Sequence, residues 1–140
     1  VALAWELAQV WGERVDADPA SFTELIRSTI EFGRERGEEG YLSAMAGIER
    51  ARARLRRRLS AFAALICPTV PAPAPDRDRE TTPESTRFTR IFSALGWPSV
   101  SLPAGRDGGG RPIAVQVVAP PSKVGGVIVI SRALEGARPQ

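Results

Sequence analysis

Phe88-Thr89-Arg90-Ile91-Phe92-Ser93-Ala94-Leu95-Gly96-Trp97-Pro98-Ser99-Val100-Ser101-Leu102 is the stretch on which the reading of this chain turns. Pro98 disfavours helix at Trp97 and Gly96 permits a sharp reversal, so the approach from Phe88 ends there and turns into a strand at Ser99. If Phe88 to Leu95 is helical, Thr89 and Phe92 lie three apart and share a face. Phe88, Ile91 and Leu95 then share the adjacent, wholly apolar face and are expected to pack inward. A second strand-like run follows, Ile113-Ala114-Val115-Gln116-Val117-Val118, and the glycine-rich Gly105 to Arg111 reads as a hairpin-type connection between the two. It lacks the strand-loop-helix context and the Gly-Lys-[Ser/Thr] ending of a phosphate-binding loop. Both runs are read as non-alternating, which predicts strands covered on two faces by helices. Gln116 is then a buried amide that must be hydrogen-bonded; bracing a neighbouring loop is its expected role, contact with substrate the alternative.

Upstream, Pro68, Pro71, Pro73, Pro75 and Pro83 and the charged Asp76-Arg77-Asp78-Arg79-Glu80 mark residues 68–85 as an extended, proline-rich surface crossing. A polyproline ligand in Pro71-Ala72-Pro73-Ala74-Pro75 is the rival reading. Before it, residues 1–66 read as helical. Ala2 to Trp11 forms one helix, Asp16-Ala17-Asp18-Pro19 a break, and Ser21 with Glu24 a capping box opening a second helix that Gly37 and Gly40 stop. Tyr41, Met45, Ile48, Arg52, Leu55, Leu59, Phe62 and Ile66 alternate four and three apart, one stripe of a long third helix broken only by Arg52.

With Ile66-Cys67-Pro68-Thr69-Val70-Pro71 in front, this ordered set of motifs resembles the C-terminal part of the amidase signature hydrolases, over roughly Tyr41 to Pro139. That family characteristically carries Pro-Thr after a buried strand, a Phe-Thr-Arg approach to Gly-x-Pro-[Ala/Ser]-x-Ser-x-Pro-x-Gly, and a Pro-[hydrophobic]-[small]-Val-Gln strand. The resemblance implies an α/β fold: helices plus strands of a larger mixed sheet. Residues 1–140 would be the C-terminal third of a single amidase domain whose N-terminal catalytic portion is absent. It further implies hydrolysis of a small-molecule carboxylic amide through an acyl-serine intermediate, without a metal or organic cofactor. The family's chemistry uses a Ser-Ser-Lys arrangement, because a serine hydroxyl attacks poorly until a neighbouring base takes its proton. This sequence has one lysine, Lys123, and no Gly-Gly-Ser-Ser-like run, so no catalytic residue is assigned and the chain alone is expected to be inactive. A Thr in the Phe-Thr-Arg approach looks toward the acyl chain in this family, which makes Thr89, Phe92 and Trp97 the expected substrate-binding residues; completing the core is their alternative role.

Two departures from the family pattern stand out. Family members that serve in tRNA-dependent amidotransferases carry an acidic residue about ten positions before the Gly-x-Pro turn, where this chain has Thr86; that favours a general amidase. The tail reads Lys123-Val124-Gly125-Gly126-Val127-Ile128-Val129-Ile130, and its two glycines and β-branched residues predict a helix that starts late or frays.

Composition narrows the function further. The 43% hydrophobic and 25% charged residues are globular values. No apolar run approaches the ~20 residues of a membrane span, and Val1 to Val10 does not read as a signal peptide, so a cytoplasmic protein without membrane contact is expected. With no histidine in the chain, Ser-His-Asp, Cys-His and His-ligated metal chemistry are excluded within it. Lone Cys67 reads as a small buried hydrophobe. Arg50, Arg52, Arg54, Arg56, Arg57 and Arg58 read as a solvated helix face, because net charge is only +3 and no RNA motif accompanies them; no nucleic-acid partner is expected. Two alternatives from other classes are a catalytically dead interaction module of the same fold and a basic nucleic-acid-binding protein.

Overall fold

The computed structural model describes residues 1–76 and 83–137. The chain divides into two compact units, Val1–Ala51 and Arg52–Gln140.

The first unit is a pair of helices. α1 (Ala2–Ala17) buries Ala4, Ala8, Gly12 and Val15, a stripe of small residues at helical spacing. α2 (Glu24–Arg58) begins in this unit and presents buried Ile30 and Gly33. A Cβ at Gly33 would lie 2.1 Å from the carbonyl oxygen of Ala4, so only glycine lets the two backbones come this close. Ile30 is 1% exposed and packs with Ala8 and Val15. Arg34 forms a two-pronged bond to Asp16, at 2.9 and 2.6 Å.

Several boundaries differ from those expected. α1 runs on past Trp11 to Ala17, because Gly12 and Val15 continue the buried stripe. Ser21 does not cap α2: it lies in a 3-10 turn, Pro19–Ser21, and its hydroxyl bonds to Asp18. Thr23 takes that place, its Oγ1 accepting from the Ile26 amide at 3.4 Å, while Glu24 pairs with Arg27. Gly37 leaves helical geometry at φ 60°, ψ −174°, so the expected break between two helices is present there; Gly40 does not share in it and lies within the helix that follows. That helix ends at Arg58, leaving Phe62 and Ile66 off the helix and exposed.

The second unit holds the end of α2, a three-stranded sheet and two further helices. β1 (Leu65–Pro68), β2 (Ser99–Arg106) and β3 (Pro112–Val118) are ordered β1-β3-β2 with both pairings antiparallel. Thus helices and sheet together make an α/β unit, as the sequence implies. Central β3 buries Gln116, Val117 and Val118 in succession, as expected for cover on two faces. Edge strand β2 departs from that expectation: Ser99 and Ser101 are exposed while Leu102 is buried and Val100 half-buried, an ordinary alternation that Ser-Val-Ser-Leu already spells. Val100, Leu102, Val115 and Val117 share one face and pack with Val127, Ile130 and Leu134 of α4 (Val124–Gly136).

That packing overrides the poor helix propensity of the tail. α4 starts at Val124, directly after the Pro121–Lys123 turn, neither late nor frayed. Val127 is 1% exposed, and a Cβ at Gly126 would sit 3.2 Å from the Ala63 carbonyl oxygen, so glycine there admits close approach. Most helical stability in proteins comes from such packing rather than from propensity.

The hairpin between β2 and β3 is closed by Asp107. Its carboxylate accepts from the amides of Gly109 and Arg111 and from the Arg111 side chain, at 2.8 to 2.9 Å. Of the proline-rich crossing, residues 69–76 and the Pro83–Thr86 turn lack strands; Arg77 to Glu80 lie outside the described residues.

Candidate functional site

Strand periodicity builds the site. Cys67 pairs with Gln116 and Gln116 with Ser101, so a thiol, an amide and a hydroxyl form one row across the three strands. This row lies on the face opposite Val115 and Val117. Thr69, just beyond β1, donates its amide to the Ala114 carbonyl at 3.0 Å, and its hydroxyl lies 2.8 Å from that of Ser101.

Gln116 is the centre of the row. Its side chain is 2% exposed, and Nε2 donates to the Pro68 carbonyl at 3.2 Å and to the Phe88 carbonyl at 3.3 Å. The expected bracing is thereby visible, and it joins two segments, the end of β1 and the start of α3 (Arg87–Leu95). Leaving such buried groups unpaired costs on the order of 1–3 kcal/mol. Burial pushes the Cys67 thiol up from its ordinary pKa, and the polar side chain of the paired Gln116 acts more weakly in the opposite direction. The sulfur is therefore a protonated thiol near neutrality, a poor nucleophile.

α3 and the turn that ends it carry the three residues expected to meet substrate: Thr89 and Phe92 on the helix, Trp97 just beyond it. It ends where the sequence predicts, with Gly96 left-handed at φ 62°. The Trp97 amide donates to the Phe92 carbonyl and the Gly96 amide to the Ser93 carbonyl, both at 3.0 Å, which is a Schellman ending. The hydrophobic contact that accompanies such endings is the Phe92–Trp97 pair, stacked with centroids 6.3 Å apart. Arg52 donates to the Leu95 carbonyl at 3.0 Å, which explains an arginine on the apolar stripe of α2. Phe92 and Trp97 are buried; Thr89, one turn before Phe92, is half-buried and donates its hydroxyl to the Thr86 carbonyl. The indole N–H of Trp97 is buried and finds no acceptor among the described residues.

The inward face of α3 is not the one expected. Phe92 and Leu95 are buried and Phe88 half-buried, four and three apart, whereas Ile91 is 51% exposed. Ile91 instead lines a shallow outer groove of about 380 Å³ with Arg87, Arg90 and Ala94. A second cavity, about 240 Å³, opens between the chain after β1 and the hairpin, lined by Val70, Pro71, Pro73, Ile113 and Val115 among other uncharged side chains.

Lys123, the one lysine, donates through Nζ to the carbonyls of Leu59, Ser60 and Phe62 at 3.3, 2.6 and 2.7 Å, closing the end of α2. The sequence offered no signal for this role, since it joins residues more than sixty positions apart. Among the described residues no three His, Cys, Asp or Glu side chains gather as a metal site requires, and no helix is long and apolar enough to cross a membrane.

Comparison with known proteins places this geometry. The family model described as Amidase matches residues 14–123, beginning well before the motifs that start at Tyr41. A solved amidase structure superposes with a TM-score of 0.87 at 27% identity, over 95% of this chain and 33% of that one. A glutamyl-tRNA(Gln) amidotransferase subunit of Neisseria gonorrhoeae (strain NCCP11945) is 38% identical over 58 residues, 39% of this chain and 12% of that protein. The 2-amino-5-chloromuconic acid deaminase of Comamonas testosteroni is 26% identical over 119 residues, 79% of this chain and 26% of the deaminase. The chain therefore spans about a quarter or less of the length of these curated relatives and a third of the solved structure.

Proposed function

The chain belongs to the amidase family, and from that premise we propose that it is the C-terminal third of a cytoplasmic hydrolase that cleaves small-molecule carboxylic amides and is inactive alone. The observation that carries this reading is the superposition on a solved amidase over 95% of the chain but only 33% of that protein. In the intact enzyme a serine hydroxyl outside this chain attacks the amide carbonyl, its proton passing through the Ser-Ser-Lys relay to the departing nitrogen as the C–N bond breaks. Water then splits the acyl-serine ester and returns the serine. No step calls on a metal or organic cofactor. Lys123 is not the base, because its ammonium is engaged by three carbonyls.

The part contributed here is one wall of the acyl pocket, with Thr89, Phe92 and Trp97 facing substrate. Thr89, half-buried on α3, supports this as the most accessible of the three. A lone cysteine suits a reducing compartment. A second reading, a tRNA-dependent amidotransferase component, is favoured by the 38% identity over 58 residues; Thr86, where such proteins carry an acidic residue, weighs against it.

The test is to sequence the reading frame upstream of Val1, express the extended protein and assay it on aliphatic and aromatic amides. A lysine, a Gly-Ser-rich segment and amide turnover are expected. An extended frame without these residues would leave the dead interaction module as the better reading.

A further inference from the structure

Two carbonyls from separate segments converge on one amide. Gln116 Nε2 has two hydrogens and meets two acceptors, the Pro68 oxygen at 3.2 Å and the Phe88 oxygen at 3.3 Å. Pro68 ends β1, the last paired residue before the proline-rich crossing; Phe88 is the second residue of α3. In an α-helix the carbonyl of residue 88 is also the acceptor for the amide of residue 92. The amide of Gln116 thus holds the same oxygen that fixes the backbone of Phe92, and the residue following that oxygen is Thr89. At 2% exposure Gln116 is buried away from the surface, yet it links the sheet to the helix that carries two of the three proposed substrate contacts, Thr89 and Phe92.

We propose that Gln116 is a positioning residue for acyl selectivity: it sets the placement of Thr89 and Phe92 through the Phe88 carbonyl without touching substrate. This rests on the substrate-facing reading of Thr89 and Phe92. The requirement is for a neutral side chain with two donors at this length. Methionine keeps the length and loses both donors. Ionised glutamate points negative oxygens at two carbonyls, whereas protonated glutamic acid restores one donor. Asparagine is one methylene too short to reach both.

The positioning half is read on this chain without substrate. Gln116→Met is expected to raise hydrogen exchange at the Thr89 to Phe92 amides about tenfold more than at Val127 in α4. Equal changes in both helices, or none, would overturn it. Selectivity is read on the enzyme from the extended reading frame. Gln116→Met should shift the ratio of kcat/KM between long and short acyl amides about tenfold, with kcat on the shortest amide nearly unchanged. Gln116→Glu should show the same shift at high pH and lose part of it as pH falls and the buried carboxyl takes up its proton, a recovery that lost stability alone would not produce. This pH series also serves if the methionine variant folds poorly. An unchanged ratio in both variants would overturn the proposal. An α3-specific exchange effect in a protein whose wild type hydrolyses no amide would instead count against the amidase reading and leave the positioning intact.

Discussion

The Phe92 ring stacks on that of Trp97, 6.3 Å away, across the turn in which the Trp97 amide bonds to the Phe92 carbonyl. One short unit therefore ends α3, starts the approach to β2 and sets an aromatic pair. Gly96 makes it possible, since its φ of 62° is costly for any residue with a Cβ.

Replacing Gly96 by alanine is expected to destabilise the chain by roughly 1–2 kcal/mol, the left-handed penalty. Chemical denaturation of the purified variant measures this. A change within experimental error would mean that the turn adopts another conformation.

Lys123→Met should cost about 1–3 kcal/mol, because it strips three carbonyls at the end of α2 of a charged donor. Denaturation midpoints of wild type and variant decide it. Wild-type stability in Lys123→Met would show that water serves those carbonyls equally well.

Asp107 gives the hairpin a pH dependence. Backbone bonding from Arg111, and then its side chain and the Gly109 amide, hold this carboxyl below the usual aspartate range. A depressed folded pKa contributes stability that is present above the unfolded value and lost as pH falls through the folded one. The loop should accordingly hold its structure at neutral pH and loosen only below about pH 4. Amide shifts of Gly109 and Arg111 followed by NMR titration test this; a midpoint above that range would contradict it.

The arginine run should add little specific affinity for nucleic acid. Arg54, Arg56, Arg57 and Arg58 are exposed around the end of α2, and Arg52 is engaged with Leu95. Binding to duplex DNA or RNA at physiological salt is expected no tighter than ~10⁻⁶ M, the non-specific range. Sequence-selective binding beyond that would revive the nucleic-acid reading.

What the sequence made legible was whatever depends on near neighbours. The end of α3 follows from Gly96 and Pro98, and the hairpin from glycines flanking Asp107. Elements decided by distant packing were not legible. α4 forms through β-branched residues because Val127 seals the sheet; Ile91 faces out because Phe92 and Leu95 define the buried stripe. Gly40, a helix stop by its composition, stays helical, and only Gly37 leaves helical geometry. Of the site, the burial of Gln116 was legible from its apolar neighbours. Its two acceptors were not, since they lie 48 and 28 positions away.

Whether residues 1–140 are an inactive part of an amidase is decided by amide hydrolysis, measured on the purified chain beside the protein from the extended reading frame. Residues 1–140 are expected to release no amine above a buffer blank, and the extended protein to turn over at least one amide of an aliphatic and aromatic panel. Turnover by the chain alone that survives Lys123→Met and is abolished by a serine-directed inhibitor would contradict this reading.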